Sequence, residues 1–266
     1  MKNKKENILI IGAGLCGSLL ALRLGQRGFQ VTLVEKRPDL RKIEQDAGRS
    51  INLAFSDRGM KAIKMVGLEN EVEKLCLPMI GRMIHDKMSN KFMSLYSGKE
   101  NKFINSISRP GLNMLLLDSA EKLPNVSLIF NQSCESLDFK NTTAVFKDYQ
   151  TKECSTYKAD VIFGTDGAGS VVRNNMFDDK SIRLSFSIDW LSHSYKELTI
   201  PASKSGNFQD EHKALHIWPR GENMLISLPN LDGSFTVTLF LAHQTGKDNF
   251  EKLNKAEKVN EYIERE

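Results

Sequence analysis

The sequence predicts an α/β protein in two interleaved parts, one built on a parallel sheet and one on antiparallel strands. Three observations carry this. A strand, a glycine turn, a helix-like run and a second strand succeed one another between residues 8 and 34. A further apolar run, residues 160–164, leads straight into a second glycine turn at Thr165-Asp166-Gly167. Beyond Asp178 short β-rich segments separated by turn residues replace the strand–helix alternation.

The first turn is the most specific signal. Gly12-Ala13-Gly14-Leu15-Cys16-Gly17 lies between the apolar run 8–11 and the helix-like run 19–27, and the next apolar run, 29–34, ends at Glu35. That order and spacing is what a Rossmann-like dinucleotide fold needs. Gly12 allows a tight turn, Gly14 lets backbone approach a pyrophosphate, and Gly17 lets the helix pack closely. The helix N-terminus offers free N–H groups and a partial positive charge to phosphates. Glu35 suits the ribose hydroxyls. Arg37 would fit a 2′-phosphate, which the charge of Glu35 disfavours.

The remaining elements follow from local pattern. Ser56 is an N-cap for a helix reaching about residue 66, and 68–77 reads as a short helix that Pro78 ends. Residues 81–107 alternate short apolar and polar pieces, which predicts two or three antiparallel strands. Pro110 fits the first turn of a helix over 111–123, with Leu112, Leu115, Leu116 and Ala120 on one face. A strand at 126–130 continues the parallel sheet, and 134–139, 143–147 and 153–157 read as a β-meander. By composition 160–164 is a buried strand, followed by a helix toward Met176. Strands are expected at 195–200, 215–218, 224–228 and 235–241, the last two joined at Asp232-Gly233, a hairpin signal. Residues 249–266 read as a charged amphipathic helix. The expected division is a nucleotide domain over 1–78 and 108–177 and a β-sheet domain over 79–107 and 178–266.

Composition narrows the function. With 37 basic and 33 acidic residues among 266, the net charge of +4 gives no case for nucleic acid. The basic start, Lys2, Lys4 and Lys5, reads as a solvated tail. No 18-residue apolar run predicts a membrane span. Cys16, Cys76, Cys134 and Cys154 show no C-x-x-C spacing and are expected as reduced thiols in a cytoplasmic protein. His85, His193, His212, His216 and His243 show no metal-ligand spacing on a helix, and His212 and His216 flank a predicted strand, so no metal is expected. No G-x-S-x-G elbow occurs, which disfavours an α/β-hydrolase.

Longer strings add a resemblance. They are Gly48-Arg49-Ser50-Ile51-Asn52-Leu53-Ala54, Gly81-Arg82-Met83-Ile84-His85, Ser106-Ile107-Ser108-Arg109, Gly164-Thr165-Asp166-Gly167-Ala168, Glu197-Leu198-Thr199-Ile200-Pro201 and Leu215-His216-Ile217-Trp218-Pro219-Arg220. With the opening glycine turn, they make the chain resemble FAD-dependent aromatic hydroxylases of the p-hydroxybenzoate hydroxylase fold. Within that group it resembles the kynurenine 3-monooxygenases, over essentially its whole length. The resemblance implies FAD as cofactor, NADPH and O2 as co-substrates, and hydroxylation of L-kynurenine to 3-hydroxykynurenine. The flavin carries such chemistry while the protein supplies position and dryness, so no catalytic dyad is expected.

The resemblance also implies site residues. Gly12, Gly14, Cys16, Gly17, Glu35, Lys36, Arg37, Ala54, Arg109, Cys134, Asp166 and Gly167 would contact FAD. Cys134 differs in type from the residue expected at its place. Arg82 would bind the substrate carboxylate, as a guanidinium fork does bidentately, and Tyr96 would donate a second hydrogen bond. The role of Arg49 stays open, and His216 and Trp218 read as packing residues. A later Gly-Asp-Ala motif of such enzymes is absent here, from which a truncated chain is expected. The alternatives are a same-fold hydroxylase of another aromatic acid, or a non-catalytic nucleotide-binding fragment.

Overall fold

The computed structural model describes residues 6–43, 52–98 and 102–266. Its elements begin with β1 (Asn7–Ile11), α1 (Leu15–Gln26), β2 (Gln30–Val34), β3 (Asn52–Phe55), α2 (Asp57–Lys64), α3 (Glu69–Glu73) and β4 (Cys76–Met79). There follow β5 (Gly81–His85), β6 (Lys91–Leu95), β7 (Ile104–Ser108), α4 (Arg109–Glu121), β8 (Val126–Ile129), β9 (Gln132–Asp138), β10 (Thr143–Asp148) and β11 (Cys154–Lys158). The last are β12 (Val161–Gly164), α5 (Val171–Asp178), β13 (His193–Ile200), β14 (Ala214–Arg220), β15 (Asn223–Pro229), β16 (Phe235–Ala242) and α6 (Ala256–Arg265). The chain divides into two compact units, one of Met1–Gln45, Ala62–Leu68 and Pro110–Ser187, the other of Asp46–Lys61, Glu69–Arg109 and Ile188–Glu266. Arg49 and its neighbours Gly48, Ser50 and Ile51 lie outside the described residues, as do Lys2, Lys4 and Lys5.

The first unit is Rossmann-like. Its parallel sheet has the order β12-β1-β2-β8. Ile8, Leu9, Ile10 and Ile11 of β1 are all buried, as a central strand covered on both faces requires. Beside that sheet the β9–β10–β11 meander contributes Cys134, Ala144 and Phe146 to a core shared with Leu9, Ile11, Val34 and Val172. Helix α4 buries Leu112, Asn113, Leu116, Leu117 and Ala120. Leu115, expected on that face, is only half-buried. Strand β12 also departs from expectation. Its apolar composition reads as buried, yet it lies at the sheet edge, with Val161 and Phe163 exposed and Ile162 beside an open cavity that Leu137 and Met176 also line. Composition reports how apolar a strand is, not whether a neighbour covers it.

The second unit is β-rich. A six-stranded sheet runs β13-β16-β15-β14-β5-β6, antiparallel except where β14 meets β5. Asp232-Gly233 does turn β15 into β16: Gly233 takes a φ of 84°, and Asp232 Oδ1 accepts the Ser234 N–H at 2.9 Å. A separate small sheet has the order β3-β7-β4, so the third strand expected within 81–107 pairs away from β5 and β6. The expected helix over 68–77 shrinks to α3, and Pro78 lies inside β4 rather than ending a helix. That strand is an edge, where a residue without an N–H breaks no ladder. Helix α6 is shorter than the expected 249–266, and Tyr262 anchors it on Leu239 and Leu241. Among the described residues no helix is long and apolar enough to cross a membrane.

Candidate functional site

In the first unit the three motif glycines do three separate things. Gly12 has a φ of 100°, and a Cβ there would meet Thr165 O at 2.6 Å and Asp166 Cα at 2.8 Å. A Cβ on Gly17 would overlap the Gly12 carbonyl oxygen and meet Thr165 Oγ1 at 2.6 Å. Both are therefore fixed by the contact between the two glycine turns. Gly14 has nothing within 4 Å of an added Cβ. It is the N-cap of α1, with no side-chain cap and no acidic residue in the first turn. The orphan N–H groups of that turn and the positive end of the helix thus face open space. A diphosphate fits this cradle.

Contacts that the sequence does not announce hold the cradle in shape. Thr165 donates its hydroxyl to Gly12 O at 2.7 Å, and its N–H to Ile11 O at 2.8 Å. Asn113 Nδ2 donates to Ala13 O at 3.1 Å, and Ser18 Oγ donates to the same oxygen at 3.0 Å. Asn113 and Thr165 stand about a hundred residues or more along the chain, and although Thr165 lies in the second turn, no local pattern announces either contact with the first.

Glu35 is buried where β2 ends. Its Oε2 accepts the Ala13 N–H at 2.8 Å, and its Oε1 accepts the Arg37 side-chain Nε–H at 2.8 Å and the Arg37 backbone N–H at 3.0 Å. Burial pushes this carboxyl up. The hydrogen bonds from Arg37 and Ala13 outweigh burial and hold it below its ordinary value. The carboxylate is therefore charged, tied to the turn, and retains lone pairs for ribose hydroxyls. Lys36, Arg37 and Cys16 are exposed.

The second turn is held by Asp166. Its Oδ1 accepts the Ser170 hydroxyl at 2.6 Å and its Oδ2 accepts the Val171 N–H at 2.7 Å, which ties the turn to the start of α5, where Ser170 is the N-cap. Gly167 follows with a φ of 84° and open space around it. Cys134 is a core residue here. Burial, with the nearby charges of Asp166 and Glu135, pushes its thiol up to about 11, which leaves it a neutral packing group.

In the second unit Ala54 lies in a ladder that ends where Arg109 begins α4. Exposed Ala54 pairs with Ser106 across β3 and β7, and Arg109 follows directly at the end of β7, also exposed. A cavity of about 380 Å3 opens beside this ladder, lined among others by Asn52, Ser106, Ser108, Glu197 and Thr236. Asn52 Nδ2 donates to Ser106 Oγ at 3.0 Å and to Pro229 O at 3.2 Å, while its buried Oδ1 has no partner among the described residues. Burial raises the Glu197 carboxyl.

Arg82 and Tyr96 do come together. They sit on the antiparallel β5–β6 hairpin, and the Arg82 guanidinium lies 4.8 Å over the Tyr96 ring. Gly81 permits this approach, because a Cβ there would meet Ser94 O at 2.5 Å. Among the described residues the buried Tyr96 hydroxyl has no hydrogen-bond partner, and burial raises the phenol against the opposing pull of the Arg82 charge. Arg82 itself is exposed. A guanidinium and a hydroxyl donor are both groups from which a carboxylate accepts hydrogen bonds. The histidine expectation changes as well: His216 lies inside β14 rather than at its flank, and meets His85 instead of His212.

Comparison with known proteins identifies the family and the fold. The FAD binding domain family matches residues 5–233. The chain is 46% identical over 257 residues to a kynurenine 3-monooxygenase of Dictyostelium discoideum, covering 96% of this chain and 54% of that protein. It is 43% identical over 260 residues to one of Myxococcus xanthus, covering 98% and 55% respectively. The chain thus spans about half the length of the curated relatives it matches. Its fold is similar to the crystal structure of the flavin-dependent monooxygenase PieE in complex with FAD and substrate, with a TM-score of 0.74 at 17% identity, covering 100% of this chain and 47% of that one. The glycine cradle, the anchored Glu35 and these likenesses converge: the chain belongs to the FAD-binding domain family, and FAD is its cofactor.

Proposed function

We propose that the protein works as an FAD-dependent aromatic monooxygenase that converts L-kynurenine to 3-hydroxykynurenine with NADPH and O2. The observation that carries this reading is the Arg82–Tyr96 pair. It sets a guanidinium over the ring of a tyrosine whose buried hydroxyl has no hydrogen-bond partner among the described residues. An amino-acid carboxylate supplies what both lack. The names of the curated relatives, at 46% and 43% identity, support kynurenine as that amino acid.

The cofactor contacts follow the same reading. The turn of Gly12, Gly14 and Gly17, with Cys16 in the first turn of α1, would hold the diphosphate. Glu35 would hold a ribose, with Lys36 and Arg37 beside it. Ala54, Arg109, Cys134, Asp166 and Gly167 would supply the remaining contacts, Cys134 only from the packed layer its thiol occupies. Bound FAD supplies the electron transfer from NADPH and the activation of O2. The chain's own residues bind and orient: Arg82 fixes the carboxylate bidentately and Tyr96 donates to it, which sets the direction in which the aromatic ring points. The four free cysteines support a reducing, cytoplasmic location.

The test is NADPH oxidation by the FAD-loaded protein with L-kynurenine and, separately, with kynuramine, its decarboxylated analogue. Stimulation by L-kynurenine, with 3-hydroxykynurenine formed and little response to kynuramine, is the expected result. Equal oxidation with and without L-kynurenine overturns the reading.

A further inference from the structure

Within the second unit, β5 and β14 run side by side and bring two histidines together. His85 Nε2 lies 2.8 Å from His216 Nδ1. Asp210, in the segment leading into β14, puts Oδ2 4.0 Å from the same His216 nitrogen. The three donor atoms lie within 4.8 Å of one another. Both rings are more than nine-tenths buried, while the Asp210 side chain retains 30% of its exposure and gives a path from solvent.

We propose that His85, His216 and Asp210 form a binding site for a divalent transition-metal ion of the zinc class. The ligand set is two imidazoles and one carboxylate, the N/O donors such ions take. Tautomer and orientation are already set for His216. Its Nε2 donates to Glu211 O at 2.6 Å, which leaves Nδ1 as the lone pair. A metal-bound histidine has this same outer contact, its other ring N–H given to a backbone carbonyl. The rings are also clamped. His85 stacks on Trp218 with centroids 4.1 Å apart, and His216 meets Phe235 edge-on at 5.5 Å.

Little must move. Metal–ligand bonds near 2.0–2.2 Å in a tetrahedral site put donor atoms roughly 3.3 Å apart. The 2.8 Å histidine separation must open and the 4.0 Å His216–Asp210 separation must close, each by less than an ångström, while the His85–Asp210 separation, which lies within 4.8 Å, must close by up to about 1.5 Å. The proton now between the rings moves to His85 Nδ1, so His85 binds as a neutral ligand. Lys91 already places a cation on Asp210, its Nζ 2.8 Å from Oδ2. That side chain is half-exposed and free to withdraw, and its charge competes with the metal. Arg220 is held on the carbonyl oxygens of His85, Asp86, Pro219 and Glu266, and among the described residues no ion pair joins it to Asp210. An ion here would staple β14 to β5, the strand that carries Arg82.

The test uses the full chain, chelator-treated, titrated with Co2+ and then with competing Zn2+, with binding read from the visible bands of Co2+ and from Tm. One equivalent should bind and raise Tm. Asp210→Asn and His85→Gln should each weaken binding roughly 10–100-fold, and Lys91→Met should tighten it. Asp210 is partly exposed, so Asp210→Asn tests the site even if His85→Gln disturbs folding. The proposal fails if no saturable binding appears, or if both ligand variants bind as the parent does, which would place the ion on other histidines.

Discussion

The Glu35 carboxylate accepts the Ala13 N–H at 2.8 Å, closing a bond between residues 22 apart at the point where the glycine turn must hold its shape. The acid at the end of β2 is thus a structural member of the cradle before any ribose reaches it. Its second oxygen holds Arg37.

Glu35→Gln tests this double role. One of its two ends must then present an amide N–H to a donor, either the Ala13 N–H or the Arg37 Nε–H. A buried donor left unpaired costs about 1–3 kcal/mol. The variant should lose stability by that order and retain FAD poorly. The folded-state value of Glu35 is lowered, so its contribution is present above the ordinary carboxyl range and lost as pH falls through the folded value. Urea midpoints measured between neutral and acid pH should converge for parent and variant toward low pH; a constant gap would remove Glu35 from this account.

The motif glycines separate folding from binding. Gly17→Ala forces a methyl into the Gly12 carbonyl and Thr165 Oγ1 and should cost about 3 kcal/mol or more. Gly14→Ala meets nothing within 4 Å and should change stability by no more than about 1 kcal/mol, the cost of alanine at an N-cap. Its methyl would nevertheless stand where a diphosphate approaches, so FAD affinity should fall at least tenfold. Thermal melts with flavin fluorescence check both, and a Gly14→Ala protein that holds FAD normally would contradict the cradle.

Tyr96→Phe should act in opposite directions on folding and on substrate binding. Its hydroxyl is buried and unpaired, so removing it relieves a desolvated polar group and should leave stability unchanged or raised by up to about 1 kcal/mol. In the complex the same hydroxyl would donate to a carboxylate, and its loss should raise KM for L-kynurenine about tenfold with a smaller effect on kcat. Arg82→Met should raise KM further. A Tyr96→Phe protein that is clearly destabilised, with KM unmoved, would mark Tyr96 as a packing residue only.

What the sequence makes legible is what is local. The turn from Gly12 to Gly17, the strands around it and the Asp232-Gly233 hairpin follow from short-range sterics, and all stand where the pattern puts them. Pro78 and residues 160–164 misled because their placement depends on neighbours. One became tolerable on an edge strand, and the other stayed exposed because β12 has a partner on one side only. Thr165, Asn113 and the His85–His216 pair act across 95 to 154 residues of chain, and a single sequence carries no signal for such contacts. The Arg82–Tyr96 pair was reachable only through the longer strings, since an arginine and a tyrosine 14 positions apart show no pattern of their own.

His85 supplies the last prediction. Burial first, then the charges of His216, Lys91 and Arg220, hold its imidazole down at about 4, while Asp210 pulls the other way. In the unfolded chain the same ring takes up its proton near 6.5. Between those values the unfolded state binds the extra proton, so stability rises with pH across this window and is lost as pH falls from about 6.5 toward 4. Protonation would also place an N–H on each nitrogen of His85 while Lys91 and Arg220 stand close by, a charge that Asp210 alone offsets. Metal-free protein should therefore show urea midpoints that fall steadily through this range, and His85→Gln should flatten the fall. An NMR titration in which His85 protonates near 6.5 in the folded protein would contradict the buried neutral ring on which this slope depends.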